Sequence, residues 1–580
     1  MPQSYEFAAE SQRDLLAEIE LILADHGALS LCAVLEPRRR EEQDADLRLL
    51  FTDRTWLQSP AGDRLIEALR RDSAVVTVLR RRSALTLRFD DGALARLEAR
   101  MQANDRVSTE TADLLAGHCL TIGFVGPNTN KALHVGHLRN IYLGHALASA
   151  LESAGASVQR HSLVGDIGRR VCEAIAGYVV YHDGETPDQA GIPGDRFVEL
   201  CSRDYVRNHC GSNPSLDLGD PNAEENEPTG DLADSVMQAW LRGEPREWKL
   251  WSCLRGWVLA SHQQTLARLG VRFDYCDFES DAIQRALALI AEGLARGVLM
   301  REPAGTIVYK TGRPEYTTMV LLREDGIPTE YARLLGAYDG VLESLDPAAS
   351  YIEVVGIEWH QPLLALRELL ATLPESPRVD AYDCILHGSV TNGGQKMGSS
   401  TGEVLWIDDL LDQVARSSRV AALEVLSGNA VSKDELADLV VRGAFLYSPP
   451  AQPLPLSVKR LIETASGPGW TIAEAWCQAQ QPCAPDDTAP RTRTAIVQSL
   501  LYRRTLRLAV ERREVASLMS YLHKLSEACL AAPVPGPAAA PMLRRVLRSL
   551  GFLAGGFTPT REELALTTGS GHPELNLVGQ

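Results

Sequence analysis

At 580 residues, with 45% hydrophobic and 23% charged side chains, the chain has room for roughly three or four packed domains and is neither disordered nor fibrous in composition. Its 58 Lys+Arg against 76 Asp+Glu leave a net charge of −18, which argues against DNA as a partner held by overall charge. No apolar run approaches the ~20 residues of a membrane span, the first residues lack a signal-peptide pattern, and 11 scattered cysteines without a CxxC pair read as reduced thiols. These features predict a cytoplasmic enzyme with neither a membrane nor DNA as partner.

In chain order, residues 1–108 read as a small α/β unit. Leu15, Leu16, Ile19, Leu21 and Ile22 repeat at helical spacing, and Leu85, Leu87 and Phe89 alternate as a strand does. Cys119 to Val125 reads as a buried strand ended by the turn residues Gly126, Pro127 and Asn128. His134 to Ser153 reads as a helix with Leu138, Ile141, Leu147 and Leu151 on one side, closed by Gly155, and Ala156 to Val164 as a second strand. Strand, helix, strand predicts a parallel sheet with its ligand at the strands' C-terminal ends.

The fold class expected is therefore α/β, with a doubly wound, Rossmann-type catalytic domain over residues 109–434. An insertion is expected around 183–247, including a polar loop from Gly211 to Asp231. Helices around Trp248 to Leu269 and Ile283 to Leu294 follow, and the apolar runs Tyr351 to Gly356 and Cys384 to His387 complete the sheet. Residues 435–580 read as an all-helical domain punctuated by prolines, with a structureless tail after Thr568. From Val441 onward there are 15 basic and 10 acidic side chains, a net of +5, which suits a local nucleic-acid surface on an acidic body.

The stretch Gly126 to Arg139 carries the chemistry. His134 and His137 are three apart, so both rings lie on one side of a helical first turn. That turn also offers unpaired backbone N–H groups and the positive end of the helix dipole to a phosphate. Gly136 between them removes a Cβ where a base or ribose approaches. Imidazoles there donate to phosphate oxygens as charge builds, each donor being worth ~3 kcal/mol in a transition state. Taken alone, the tetrapeptide is equally compatible with two solvated histidines at a helix start.

The flanking residues resemble the class I aminoacyl-tRNA synthetases, and within them the arginyl-tRNA synthetases. His134-Val-Gly-His137 looks like the HIGH signature, in a setting of Pro127, Asn128, Lys131, Leu133, Leu138 and Arg139 that is similar to the family's. Val164 to Gly168, Leu269 to Asp274 with Glu279 and Ser280, and Asp325 to Thr329 with Arg333 resemble further family segments in the right order. Gln395 to Ser400, ahead of Trp406 to Leu411, stands where the KMSKS loop belongs, and Glu514 to Ala532 resembles the start of an anticodon-binding domain.

The resemblance implies activation of an amino acid by ATP and transfer of the acyl group to tRNA, by a protein expected to be monomeric. It assigns His134 and His137 to the ATP phosphates, Lys396 to the pyrophosphate, and Lys131 to the charge that the KMSKS loop lacks at Ser399. Gly136, Met397 and Glu358 are expected at the nucleotide, and Asn128, Glu330 and Asp166 at the amino acid, with Asn128 at its α-amino end. Mg²⁺ is expected to arrive with ATP, held by phosphates and water and not by a protein cage.

Three positions depart from the family together. Gly123 replaces an acidic residue, Glu330 a tyrosine and Leu334 an aspartate, all of them implied to face a guanidinium. Glu330 either restores part of the lost charge or is a surface glutamate beside an apolar pocket. The flexible loop has lost basic residues as well. Seven arginines between Arg491 and Arg513 form either a tRNA-tracking stripe or a salt-bridged face. Arginine–tRNA ligation, a biosynthetic relative with another amino acid or acceptor, and a non-catalytic RNA binder all stay open, and the intact His134, His137, Lys131 and Lys396 argue against the last.

Overall fold

The computed structural model describes residues 15–26, 28, 32–35, 45–72, 74–96, 111–209, 231–373, 378–392, 395–396, 404–464, 466–481, 497–498, 501–531 and 540–552. In the first unit, β1 (Cys32–Leu35), β2 (Leu47–Phe51), β3 (Val75–Arg80) and β4 (Ala84–Phe89) form an antiparallel sheet in the order β1-β2-β4-β3. Helices α1 (Leu15–Asp25) and α2 (Pro60–Arg71) accompany it. Ser59 caps α2 by accepting from Ala61 N, with Pro60 at the first helical position, where a missing N–H costs nothing. Leu47, Leu49 and Phe51 alternate into the core and meet Leu65, Leu69, Leu85 and Leu87.

The second unit is built on five parallel strands, β5 (Cys119–Gly123), β6 (Ser157–Val164), β7 (Tyr275–Phe278), β11 (Ala349–Gly356) and β12 (Tyr382–His387). Their order is β12-β11-β5-β6-β7. Between β7 and β11 the chain inserts a small antiparallel sheet of β8 (Met300–Arg301), β9 (Ile307–Arg313) and β10 (Tyr316–Leu322). The chain thus runs outward from β5 to β7, returns, and adds β11 on the other side of β5. This is the doubly wound arrangement expected, and its topological switch point lies between β5 and β11, where ligands of such sheets bind.

The connecting helices are α3 (Val135–Ser153), α4 (Arg169–Tyr181), α5 (Gly194–His209), α6 (Leu232–Leu241), α7 (Pro245–Arg268), α8 (Glu279–Ala295), α9 (Glu330–Ser344) and α10 (His360–Thr372). Of the polar loop expected from Gly211 to Asp231, residues 211–230 lie outside the described residues. Helix α3 differs from the one-sided helix its sequence suggests, because it is buried nearly all round. On one side the Phe124 ring lies against Gly144, where any Cβ would overlap it. On the other, Tyr142 donates to Asp438 at 2.8 Å and His145 Nε2 bonds Gly551 O at 3.1 Å.

Those partners belong to the C-terminal helices. After β13 (Val390–Asn392) and β14 (Gln395–Lys396) come α11 (Ile407–Ala415), α12 (Ser418–Leu426), α13 (Lys433–Leu446), α14 (Pro468–Ala479), α15 (Tyr502–Glu511), α16 (Ala516–Leu530) and α17 (Ala540–Ser549). They share one core through Leu436, Val440, Trp470, Leu506, Leu522 and Leu543. A short strand, β15 (Leu454–Pro455), pairs with β13, so this part is not purely helical; the proline-rich linker cannot continue a helix and lies extended beside β13.

Of the seven arginines in the stripe, Arg491 and Arg493 lie outside the described residues, and three of the others form internal pairs. Arg503 grips Asp113 at 2.7 Å, Arg504 pairs with Glu20 on α1 at 3.6 Å, and Arg513 pairs with Asp383 on β12. The tail after Thr568 lies outside the described residues. Among the described residues no helix is long and apolar enough to cross a membrane.

Candidate active site

The turn leaving β5 is held under local tension. Val125 adopts φ 57°, a left-handed conformation that β-branched residues rarely take and that persists only where neighbours over-determine it. Its N–H donates to Asn140 Oδ1 at 2.8 Å, and Asn140 Nδ2 reaches Val354 O on β11 at 2.6 Å. Asn140, one turn into α3, therefore ties together the two strands that flank the switch point. The sequence offers no signal for this beyond a polar residue in an apolar helix.

His134 is the N-cap of α3 and His137 its third residue. The His134 Nδ1 accepts from Gly136 N–H at 3.0 Å, and the His137 Nδ1 accepts from His134 N–H at 3.1 Å, a reciprocal capping box made of two imidazoles. The rings lie 4.0 Å apart at 33°. Because each Nδ1 is an acceptor, a neutral ring at either position carries its proton on Nε2. Burial, with smaller contributions from His134, Lys131 and His262, pushes the His137 pKa well below its usual value, so this ring is neutral near pH 7. Gly136 lies half-buried between them.

Lys131 is half-buried, and its charge is felt by His137. Its carbonyl accepts from His262 Nε2 on α7 at 2.9 Å, a contact not legible in the sequence. Burial depresses the His262 pKa from 6.5 to about 4. Below pH 6.5 the unfolded chain binds this proton and the fold does not, so stability is full above that pH and falls as pH drops toward 4. The loss expected from this one group is on the order of 2–3 kcal/mol. Urea unfolding at pH 7.5 and 4.5 checks this, with His262→Gln expected to show a clearly shallower pH dependence; equal slopes would remove the assignment.

The root of the second signature loop is stitched to the first. Val135 N donates to Leu405 O at 3.0 Å and Ile407 N to Leu133 O at 3.1 Å, with a bridge between His134 and Trp406. Glu199 on α5 accepts from both Ala132 N at 3.1 Å and Trp406 Nε1 at 3.2 Å. The backbone of Lys396 ends β14, paired with Thr391, while Met397 lies outside the described residues. Glu358 is exposed in the turn that follows β11, at the C-terminal edge of the sheet.

The expected amino-acid residues divide. Asn128, half-buried, bridges to Gly165 beyond β6, and a Cβ at Gly165 would overlap its amide oxygen. Asp166, expected at the substrate, is instead fully buried inside the fold. It accepts from Ser280 N at 2.9 Å and Ser280 Oγ at 2.8 Å and pairs with Arg255 at 2.8 Å. Next to it, Arg333 pairs with Glu279 at 2.7 Å and donates to Pro328 O at 3.0 Å. The motif segments around 166, 279 and 333 thus meet as a buried polar lock that fixes α8 and α9 to the sheet; their spacing in the chain gave no hint that they face each other.

Around Gly123, sequence reasoning missed a cluster. A Cβ on Gly123 would overlap the Tyr351 hydroxyl. That hydroxyl lies 2.9 Å from His161 Nδ1, and His161 Nε2 lies 3.2 Å from Asp277. Glu353 on β11 accepts from Tyr338 at 2.8 Å and Tyr382 at 2.7 Å. Glu330 opens α9, where the helix dipole favours a negative charge, and Leu334 is buried one turn on. Among the described residues no group of three or more His, Cys, Asp or Glu side chains is placed to hold a metal ion.

Such a constellation can grip a polyphosphate at a helix N-terminus and seat a second ligand at the switch point. Comparison with known proteins identifies the family. A family model described as tRNA synthetases class I (R), catalytic domain, matches residues 107–449. An arginine–tRNA ligase of Amoebophilus asiaticus is 30% identical over 334 residues, 57% of this chain and 56% of that protein. One from Treponema denticola is 31% identical over 329 residues, 56% of this chain and 52% of that protein, so the match spans about half the length of these relatives.

Among solved structures, Thermus thermophilus arginyl-tRNA synthetase superposes with a TM-score of 0.62 at 21% identity, covering 92% of this chain and 97% of that one. Arginyl-tRNA synthetase from Plasmodium falciparum gives 0.62 at 12% identity, over 93% and 97%. These two likenesses speak for the fold, and the family model, which spans more than half of the chain, settles the membership. The chain belongs to the class I arginyl-tRNA synthetase family.

Proposed function

We propose that the chain is a cytoplasmic, monomeric arginine–tRNA ligase, joining arginine to ATP as an adenylate and passing the acyl group to tRNA. The observation that carries this reading is the double-imidazole cap, whose Nδ1 atoms are both occupied by backbone N–H groups, so that a neutral ring has only Nε2–H to donate. The amino acid's carboxylate attacks the α-phosphorus of ATP in line, the bond to the β-phosphate oxygen breaks, and pyrophosphate leaves. A terminal ribose hydroxyl of tRNA then attacks the acyl carbon and AMP departs.

The protein's part is positioning and charge neutralisation, not a nucleophile of its own. His134 and His137 donate to the phosphates, Lys131 and Lys396 offset charge on the leaving pyrophosphate, and Gly136, Met397 and Glu358 border the nucleotide. Asn128 holds the α-amino end, Glu330 lies beside the side chain, and Asp166 acts at a distance by holding α8 in place. Magnesium travels with ATP. The test is amino-acid-dependent exchange of pyrophosphate into ATP across all amino acids, with and without tRNA. Exchange confined to arginine and dependent on tRNA is expected; robust exchange with another amino acid and no tRNA would replace this reading with a biosynthetic one, and none under any condition would overturn it.

A further inference from the structure

The switch point of the sheet holds a carboxylate that no motif announces. Gly123 ends β5, and the register places Glu353 of β11 beside it on one side and His161 of β6 on the other. Residues paired in this way point to the same face. Tyr351, two residues before Glu353, shares that face, and its hydroxyl fills the space a side chain at 123 would need. The chain therefore has a bare position on the central strand and a carboxylate on the neighbouring strand, directly across the crevice where a doubly wound sheet receives its ligand.

Glu353 is set up to meet a cation. Both of its hydrogen-bond donors are neutral phenols, Tyr338 and Tyr382; among the described residues no ion pair with lysine or arginine is formed by it, and the basic group whose charge it feels is the buried imidazole of His161. The carboxylate lies deep in the sheet yet the residue keeps part of its surface accessible. Burial pushes its carboxyl upward, opposed by the two tyrosines and, less, by His161, so a further positive charge arriving there favours the ionised form. On α9, Glu330, Leu334 and Tyr338 are spaced by four and share a face. The phenol that holds Glu353 thus has a buried apolar wall one turn above it and a second acid at the helix start.

We infer that Glu353 is the residue that reads the side-chain charge of the amino-acid substrate, selecting a cationic head on an apolar stem. This rests on the activation reading above and names the specificity determinant of the same site. A carboxylate in such a place favours a guanidinium or ammonium because charge-assisted hydrogen bonds are about twice as strong as neutral ones, and a neutral guest leaves the buried acid uncompensated. Tyr338 and Tyr382 act as positioning residues: they fix the carboxylate while bringing no positive charge of their own.

The test compares the full-length protein with Glu353→Gln, which keeps the shape and can still accept from tyrosine. Two readouts are used, pyrophosphate exchange in the presence of tRNA and thermal stabilisation by the free amino acid. The probes are arginine, lysine and citrulline, the last a neutral analogue of arginine. The wild type is expected to prefer arginine over citrulline in both. In Glu353→Gln that preference is expected to shrink at least ~10-fold, mainly through a higher KM for the cationic substrate with kcat less affected.

An unchanged preference with normal exchange would overturn this inference and leave the activation reading intact. Glu353-dependent binding of arginine with no exchange by the wild type would keep this inference and sink the activation reading. A wild type that neither binds nor activates any of the three would overturn both.

Discussion

His137→Ala is expected to lower amino-acid-dependent pyrophosphate exchange by at least ~10²-fold, the usual cost of deleting one preorganised donor to developing charge. The substitution removes three things at once. It deletes the Nε2 donor, which makes no hydrogen bond to any described residue, and with it the ring packed 4.0 Å from His134. It also deletes the acceptor for His134 N–H, loosening the cap that aims the first ring. Because His137 is held neutral by burial, the lost group is a donor and not a fixed positive charge. His137→Asn separates these effects: its amide can still accept from His134 N–H and still donate, so it is expected to retain more activity than alanine at a similar melting temperature. Exchange unchanged in His137→Ala, with the protein folded, would remove the imidazole cap from the chemistry.

Arg333→Met is expected to destabilise the protein by ~3–5 kcal/mol, the typical cost of leaving one member of a buried ion pair without its partner. The side chains of Arg333 and Glu279 are only 4% and 6% exposed, so water cannot take over. The guanidinium also donates to Pro328 O, at the turn before α9, and lies against Gly168, whose φ of 137° excludes a side chain. Losing it therefore removes the ion pair to Glu279 and the bond at the entry to α9 together. Urea unfolding monitored by tryptophan fluorescence reads the effect, and a loss under ~1 kcal/mol would mean that Glu279 finds another partner or takes up a proton at little cost.

The same pair shows where sequence reading stops. In the sequence Glu279 and Arg333 belong to separate family-like segments, and the resemblance implies a substrate contact for Asp166. What they do depends on α7 and α8 packing beside the turn after β6, which sets Arg255 and Ser280 each within 2.9 Å of Asp166. Local pattern does not encode that meeting. The arginines of α15 show the same division: the basic stripe is plain in the sequence, whereas Asp113 and Glu20 are set opposite Arg503 and Arg504 only by the fold.

By itself the sequence determined the βαβ unit, the place where α3 begins and the two imidazoles at its N-terminus. Each rests on a signal confined to a few consecutive residues, since caps, turns and periodicity are local physics. Only the tertiary structure decided that α3 is buried all round, that Asp166 faces inward, and that a carboxylate absent from β5 stands on β11. These follow from strand order and register, which pair residues such as Gly123 and Glu353 across 230 positions of chain, a separation that short-range patterning does not reach.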